Sequence, residues 1–316
     1  MPFRHLTPHG VAAPETAPDD PRVGRRLAAQ SVVLPTTRVA LVGFPSDAGV
    51  ARNGGRVGAA DGPRALRDAL YRTTPDARVG GAFEALLAAT ADIGDVPVMG
   101  DVEADQAALG RVVAALLDRG VFPLVLGGGH ETAYGHALGY LTSGRAVGLL
   151  NWDAHADVRP ALGGESGAAL GHSGSPFRQA LEHESGLARR YDAAGLHPWR
   201  ASAAHAAFVR NHGRLVWASD LDAAAVDALV AGLDGPTLAS FDLDAVDSLA
   251  GVSAPGVGGM TAALWLRAAE ACGENRHVAS ADVVELAPRY DAGGHTAALA
   301  ALTVWHLLGG LARRTV

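Results

Sequence analysis

Short apolar runs alternate with longer amphipathic stretches along most of the chain. Six runs have the length and composition of buried strands: VALVGF, FPLVLGGG, AVGLLNWD, GRLVWASD, TLASFDLD and ASADVVEL. Helical patterns lie between them, in GPRALRDALYR, DQAALGRVVAALLDRG, AAAVDALVAGL and TAALWLRAAEACGE. Strands that alternate with helices predict an α/β fold, in which a central, mainly parallel sheet is covered by helices on both faces.

The chain is expected to form one large domain behind a short arm. Its 316 residues are 48% hydrophobic, which is enough apolar material for one core. Residues 1–30 are rich in proline and charge and contain no apolar segment typical of a signal peptide, so we predict a flexible arm before a domain at 31–316. The apolar run TAALAALTVWHLLGGLARR is interrupted by His306 and two glycines, and we expect a core helix there rather than a membrane span.

Composition narrows the class of protein further. The net charge is −7 and all 26 basic residues are arginine, so overall charge gives no support to nucleic-acid binding. The single cysteine, Cys272, excludes an intrachain disulfide and a thiolate metal cluster. We therefore predict a cytoplasmic protein, with neither nucleic acid nor a membrane as partner.

Acids and histidines gather where three of the predicted strands end. They are His130 after VLGGG, Asp153, His155 and Asp157 after GLLNW, and Asp242 and Asp244 after LASF. Residues two apart in an extended segment point to the same side. The carboxyl ends of strands in an open α/β sheet face one binding crevice. These six side chains are therefore expected to converge.

Four carboxylates and two imidazoles without a thiolate suit a hard or borderline divalent ion such as Mn²⁺. This number of carboxylates exceeds the need of one catalytic metal but suits two ions, which can hold a hydroxide between them at neutral pH. Acids at strand ends also serve as helix N-caps. Three such ends, each with spacing that favours one face, indicate metal-assisted hydrolysis instead.

Several of these segments together resemble the arginase, or ureohydrolase, family. The resemblance lies in GGGHETAYGH (127–136), NWDAHADVRP (151–160), SFDLDAVDSLAGVSAPGVGG (240–259), ARNGGRVGAADGPRALR (51–67) and ADVVELAPRYD (281–291). It covers nearly everything after residue 35. It implies a three-layer α/β/α fold, two Mn²⁺ ions per subunit and a homo-oligomer, either a trimer or a hexamer.

The resemblance also implies a role for each candidate ligand. One ion would be held by His130, Asp153, Asp157 and Asp242, and the other by Asp153, His155, Asp242 and Asp244, so that Asp153 and Asp242 bridge the two ions. Glu285 matches the carboxylate with which the family faces the amidine or guanidine group of its substrate.

The segment GHSGSPFRQAL (171–181) is similar to the formimidoylglutamase branch of the family. Agmatinases resemble SHGTPFR here, with a histidine where this chain has Ser173, and arginases keep a nearby histidine as proton shuttle. His172 lies one residue earlier. The pattern DAHADVRP, which contains Arg159, also resembles the formimidoylglutamases.

The arginines near these motifs agree with a substrate that carries carboxylates. N-formimidoyl-L-glutamate has two carboxylates, for which arginine is a natural partner, whereas agmatine has an ammonium that an arginine would repel. Arg159, Ser173 and Arg178 are therefore our candidates for substrate binding, with Arg52 and Arg56 as further arginines to consider.

The predicted reaction is hydrolysis of a C–N bond in N-formimidoyl-L-glutamate, by attack of a metal-bridging hydroxide, to L-glutamate and formamide. This reaction belongs to histidine degradation. Glu285 would pair with the amidinium, and either Asp157 or His172 would supply the proton. The alternatives are an agmatinase or guanidino-acid ureohydrolase, which releases urea, and a metal-binding pseudoenzyme on the same fold.

Overall fold

The computed structural model describes residues 3–17, 19–163 and 169–314. Within them, the strands form one sheet: β1 (Val39–Phe44), β2 (Thr90–Asp95), β3 (Phe122–Gly127), β4 (Val147–Trp152), β5 (Ala188–Leu196), β6 (Leu215–Trp217), β7 (Thr237–Asp242) and β8 (Val278–Val284). Their order across the sheet is β2-β1-β3-β8-β7-β4-β5-β6. Every neighbouring pair is parallel.

Helices connect the strands and cover both faces of the sheet. They are α1 (Val23–Leu27), α2 (Ala48–Arg52), α3 (Gly62–Tyr71), α4 (Gly81–Ala88), α5 (Val102–Leu117), α6 (Thr132–Leu141), α7 (Pro176–Leu181), α8 (Ala203–His212), α9 (Ala223–Ala231), α10 (Ala262–Glu274) and α11 (His295–Arg313). Successive strand residues enter opposite cores: Leu41 packs in one and Val42 in the other. The first core also holds α10 and α11, and the second holds α5 and α6. The predicted three-layer α/β/α architecture is confirmed.

Two strands were not predicted from the sequence, because charged residues interrupt their apolar pattern. Strand β2 has the sequence TADIGD, and β5 has the sequence ARRYDAAGL. Each buries an aspartate that an arginine neutralises: Asp92 lies 2.8 Å from Arg67, and Asp192 lies 2.7 Å from Arg214. The sheet thus has eight strands rather than the six that apolar runs indicate.

The N-terminal segment makes defined contacts with the domain. Thr7 and Asp95 exchange backbone hydrogen bonds of 2.9 and 2.8 Å at the end of β2. Helix α1 buries Val23 and Leu27 in the core. Residues 1, 2 and 18 of the predicted arm lie outside the described ranges. The flexibility of residues 1–30 and the domain boundary stay predictions.

Helix α11 is long and apolar enough to cross a membrane by length and composition, yet 61% of its apolar window is buried inside the protein. Val304, Leu307 and Leu308 are fully buried in the first core. The helix is therefore a core element of the fold, where it packs against α10 and α3.

Candidate metal centre

Four adjacent strands deliver the candidate residues to one edge of the sheet. His130 follows β3, Glu285 follows β8, Asp242 ends β7 and Asp153 follows β4. These strands lie side by side in the order β3-β8-β7-β4. Because they are parallel, their carboxyl ends meet, as expected for the binding crevice of an α/β sheet.

The first group of candidate ligands surrounds the imidazole of His130. Its Nδ1 lies 2.9 Å from Asp157 Oδ2, 3.0 Å from Asp242 Oδ2 and 3.3 Å from Asp153 Oδ2. This nitrogen is buried and, among the described residues, makes no hydrogen bond of good geometry. A nitrogen and three carboxylate oxygens that face one another in this way form a donor set suited to a divalent cation.

The second group is built around His155. Its Nδ1 lies 3.0 Å from Asp244 Oδ2 and 3.3 Å from Asp153 Oδ1. Asp153 thus turns one carboxylate oxygen to each histidine, which is the arrangement of a bridging ligand. The candidate ligand atoms of Asp242 group with His130 and not with His155, so a bridging role for Asp242 stays a prediction.

Backbone amides fix the orientation of these carboxylates. The N–H of His155 donates to Asp153 Oδ1 at 2.6 Å, and that of Asp244 donates to Asp242 Oδ1 at 2.9 Å. Asp157 has a φ of 46°, a left-handed conformation that is costly for a residue with a side chain. Asp157 adopts this strained conformation at the position where its carboxylate lies beside His130.

The electrostatics of the centre indicate a shortage of positive charge. Burial raises the pKa of Asp242 and Asp244, and in both cases the charge of Asp153 adds to this effect. Burial alone would lower the pKa of His130, but its aspartate neighbours raise that pKa well above the usual value. Acids whose pKa is raised by burial and by a neighbouring carboxylate, beside a histidine whose pKa is also raised, are typical of a site that binds cations.

Glu285 lies beside this centre in a strained backbone conformation, with a φ of 69°. Its Oε1 accepts a hydrogen bond of 2.6 Å from the N–H of His130, whereas its buried Oε2 has no hydrogen-bond partner in the described part of the chain. Burial raises the pKa of Glu285 to about 8 even though the hydroxyl of Ser253 opposes this, and the charge of Glu131 adds to the rise. An unpaired carboxylate oxygen in such surroundings would bind a cationic group.

A cavity of about 220 Å³ opens over the candidate ligands, and Arg159, Ser173 and Glu285 line it, together with Asn53. The amide of Asn53 connects two of these side chains. Arg159 Nη1 donates to its Oδ1 at 3.2 Å, and its Nδ2 donates to Ser173 Oγ at 3.1 Å. Asn53, which follows α2, and two residues of the connection between β4 and α7 therefore form one polar wall of the cavity.

His172 lies outside that lining, although it neighbours Ser173. The N–H of Gly174 donates to its Nδ1 at 3.1 Å, which leaves the proton on Nε2, and this nitrogen donates to the carbonyl of Pro160 at 3.1 Å. Burial lowers the pKa of the ring. Both nitrogens thus hold the loop together, and a catalytic role for His172 stays a prediction without support from this geometry.

Arg178 also lies away from the cavity. Its Nε donates to Glu182 at 2.9 Å within α7, its Nη1 donates to the carbonyl of Val158 at 3.3 Å, and its guanidinium lies over the ring of Phe208. These contacts attach α7 and α8 to the loop after β4. Substrate binding by Arg178 stays a prediction.

The two further arginines have structural partners as well. Arg52 forms an ion pair with Glu103 and donates to the carbonyl of Gly171 at 2.7 Å. Arg56 stacks on the ring of Tyr290, 3.8 Å from its centroid, and donates to carbonyls of the 250–252 segment. Both brace loops around the cavity without lining it.

Asn53, Arg200 and His205 line the cavity but were not predicted from the sequence. Arg200 follows β5, the strand that apolar periodicity failed to reveal, so its place at the carboxyl edge could not be inferred. His205 lies in the first turn of α8. A correct prediction of β5 from its closing residues YDAAGL would have directed attention to both.

Comparison with known proteins agrees with this geometry. A sequence model of the arginase family matches residues 37–309. The formimidoylglutamase of Nocardia farcinica is 39% identical over 280 residues, which are 84% of this chain and 84% of that protein. The formimidoylglutamase of Geobacillus thermodenitrificans is 34% identical over 275 residues, 83% of this chain and 81% of its own length.

A solved structure, Trypanosoma cruzi formiminoglutamase with Mn²⁺, superposes with a TM-score of 0.84 at 32% identity, over 94% of this chain and 100% of that one. The range of the family match, residues 37–309, contains every strand of the sheet and every candidate ligand. The family match covers far more than half of the sequence. This chain belongs to the arginase family.

Proposed function

We propose that this protein is a manganese-dependent hydrolase that cleaves N-formimidoyl-L-glutamate to L-glutamate and formamide. The observation that carries the proposal is the convergence of two ligand groups, joined through Asp153, beneath a cavity lined by Arg159 and Glu285. The names of the relatives support the substrate, and the Mn²⁺ in the T. cruzi structure supports the metal.

The donor set fits two divalent ions. One would be held by His130, Asp153, Asp157 and Asp242, and the other by Asp153, His155 and Asp244, with Asp242 as a further proposed ligand. Bound ions of this kind activate water at neutral pH and polarise the group that it attacks. The chain itself has to bind, orient and protonate the substrate.

Glu285 is placed to bind the amidinium. Its free Oε2 and its raised pKa mean that the carboxyl needs a cation beside it before it ionises fully. An amidinium supplies that charge and is thereby held next to the ligand groups. Arg159, oriented by Asn53, would bind a substrate carboxylate at the same time.

Asp157 is the proposed proton carrier for the departing glutamate nitrogen. Its side chain is 14% exposed, whereas those of Asp153 and Asp242 are 0% and 3% exposed, so it is the acid of the first group nearest to solvent. His172 is less suited because both of its nitrogens already have backbone partners.

The alternatives fit the cavity less well. Agmatine would bring its ammonium close to Arg159 and Arg200, which both line the cavity. Guanidinobutyrate has a carboxylate and meets no such repulsion, so it has to be tested directly. A pseudoenzyme does not need the two complete ligand groups that the structure brings together.

A product assay tests the proposal. Protein loaded with Mn²⁺ is offered N-formimidoyl-L-glutamate, agmatine and 4-guanidinobutyrate in separate reactions, with Asp157→Ala as the inactive control. We expect glutamate and formamide from the first compound and no urea from the others. Urea would overturn the substrate assignment, and two bound Mn²⁺ ions without turnover of any compound would favour a pseudoenzyme.

The same proposal includes a place in histidine degradation, a cytoplasmic location and assembly as a trimer or hexamer. Assembly is the part that a purified sample can test. Light scattering coupled to size-exclusion chromatography should give a mass of three or six chains, and a monomer would contradict it.

A further inference from the structure

Arg200 has contacts on two sides of the cavity. It follows β5, is half-buried and lies against the outer nitrogen of His155, with Nη1 at 3.0 Å from Nε2. Nη1 also donates to the carbonyl of Ala254 at 2.9 Å, and Nη2 donates to that of Pro255 at 2.6 Å. The guanidinium is thus fixed between a candidate metal ligand and the loop after β7.

The charge of Arg200 is not neutralised by a carboxylate. Within the described ranges, Arg200 forms no salt bridge, although most buried or half-buried arginines do, as Arg67 and Arg214 illustrate. Arg159 is exposed and also forms no salt bridge there; its Nη1 donates to the amide of Asn53. Both arginines line the same cavity. Two guanidiniums without a carboxylate partner in one cavity suit a ligand with two anionic groups.

The contact with His155 places the charge of Arg200 at the metal centre. Nη1 lies 3.0 Å from Nε2 of His155, while Nδ1 of the same ring faces Asp153 and Asp244. A ligand that sits over the candidate metal ligands is therefore within reach of this guanidinium.

We propose that Arg200 binds the α-carboxylate of N-formimidoyl-L-glutamate and that Arg159 binds the side-chain carboxylate; this inference rests on the proposed function. The α-carboxylate is attached to the carbon next to the scissile nitrogen, and Arg200 contacts a residue of the metal centre directly. The side-chain carboxylate lies two methylene groups farther away. Arg159 is the more exposed of the two arginines and lies beside Asn53 and Ser173.

Three substrates separate the two roles: N-formimidoyl-L-glutamate, N-formimidoyl-4-aminobutyrate, which lacks the α-carboxylate, and N-formimidoyl-L-glutamine, whose side-chain carboxylate is an amide. Arg200→Gln should lower kcat/KM for the glutamate and glutamine compounds about 10- to 100-fold, the usual worth of a charged hydrogen bond. It should leave the aminobutyrate compound nearly unchanged. Arg159→Gln should spare the glutamine compound instead.

The matched control is Arg210→Gln. Arg210 is an exposed arginine of α8 that lies over Trp217, and its replacement removes the same charge without touching the cavity. This control should behave as the wild type with all three substrates. A loss equal to that of Arg200→Gln would mean that overall charge, and not a specific contact, explains the effect.

A binding measurement distinguishes substrate recognition from support of His155. Arg200→Gln should keep two Mn²⁺ ions per chain by elemental analysis and should bind the product L-glutamate about 10-fold or more weakly by calorimetry. Loss of manganese, or an equal fall for all three substrates, would make Arg200 a positioning residue for His155 and overturn the proposal. Wild-type protein that releases nothing from any formimidoyl compound would refute the proposed function itself, which is a separate result.

Discussion

Two clusters of buried and half-buried aspartates within the described residues differ in the source of the neutralising charge. In the first, which we call the β2 cluster, Arg67 Nε and Nη2 bind the two oxygens of Asp92 at 2.8 and 3.0 Å, and Nη1 binds Asp95 at 2.6 Å. In the metal centre the acids have two imidazoles as their close partners. The chain itself neutralises the carboxylates of the β2 cluster, whereas it does not fully neutralise those of the metal centre.

This difference separates a structural site from a chemical one. Buried carboxylates are costly unless a charge and hydrogen bonds compensate them. In the β2 cluster, Asp92 and Asp95 raise the pKa of Arg67 even though burial opposes this. In the metal centre, burial and mutual repulsion raise the pKa of Asp242. The metal centre, in which the pKa of an acid is raised, is therefore the cluster that requires cations from solution.

The largest effect should follow removal of the shared ligand. Asp153→Ala takes one oxygen from each ligand group, so we expect both Mn²⁺ sites to weaken and kcat/KM to fall roughly 10⁴-fold or more, because the ions supply the activated water. Elemental analysis and a glutamate-release assay measure the two effects. Normal turnover with two bound ions would show that our ligand assignment is wrong.

Loss of the charge in the β2 cluster should affect stability and not chemistry. Arg67→Met leaves Asp92 buried and unpaired, which should reduce the free energy of unfolding by about 3–5 kcal/mol. Urea unfolding measures it, and activity per folded molecule should remain. Arg64→Met, on the exposed face of α3, is the control and should cost less than about 0.5 kcal/mol. If Arg67→Met does not fold, Arg67→Lys, which keeps the charge without the fork, should give a smaller loss.

Metal addition should stabilise the protein through one cluster alone. Wild-type protein stripped with a chelator should gain about 2.7 kcal/mol per site when free Mn²⁺ reaches about 100 times the Kd. Arg67→Met should show the same gain, because its defect lies elsewhere, and Asp153→Ala should show little. Equal gains in wild type and Asp153→Ala would mean that manganese binds at another place.

The smallest effect concerns pH and His9. This residue lies 3.3 Å from Tyr71 and 3.9 Å from Asp92, and burial lowers its pKa from the usual 6.5 even though the charge of Asp92 opposes this. The unfolded chain therefore binds the proton more readily. The contribution of neutral His9 is present above pH 6.5 and is lost as pH falls towards the folded pKa.

The measurement is urea unfolding of wild type and His9→Gln at pH 8 and pH 5.5. The wild type should lose more stability than His9→Gln on acidification, since glutamine does not titrate. Identical losses would show that His9 does not couple to the β2 cluster.

Most of the fold and the candidate ligand set could be predicted from the sequence. The same reasoning did not identify all the residues that line the cavity. Strands β1, β3, β4 and β7 are apolar over most of their length, and their last residues therefore indicated where His130, Asp153 and Asp242 meet. Within β5, Arg190 pairs with Asp192, but the aspartates of β2 and β5 also depend on arginines from other parts of the chain, Arg67 and Arg214. Periodicity along one strand cannot reveal such a partner.

The side chains that line the cavity show the same limit of prediction from the sequence. Arg159 was found because it continues the spacing of the ligands, whereas Arg200 depends on the path of an undetected strand. His172 and Arg178 lie in the expected segment, yet they form hydrogen bonds with Pro160 and Glu182, which lie outside it. Residue type and proximity in sequence did not determine which side chains face the cavity.

The pairing of Thr7 with Asp95 has a consequence for how the chain behaves in solution. Strand β2 is the outermost strand on its side of the sheet, and the hydrogen bonds of Thr7 occupy part of its open rim. Exposed strand rims are where unrelated chains add to one another and aggregate. A version of the protein that begins after residue 10 would lose this cover and the His9 contact together, and its first symptom would be self-association at high concentration rather than loss of turnover.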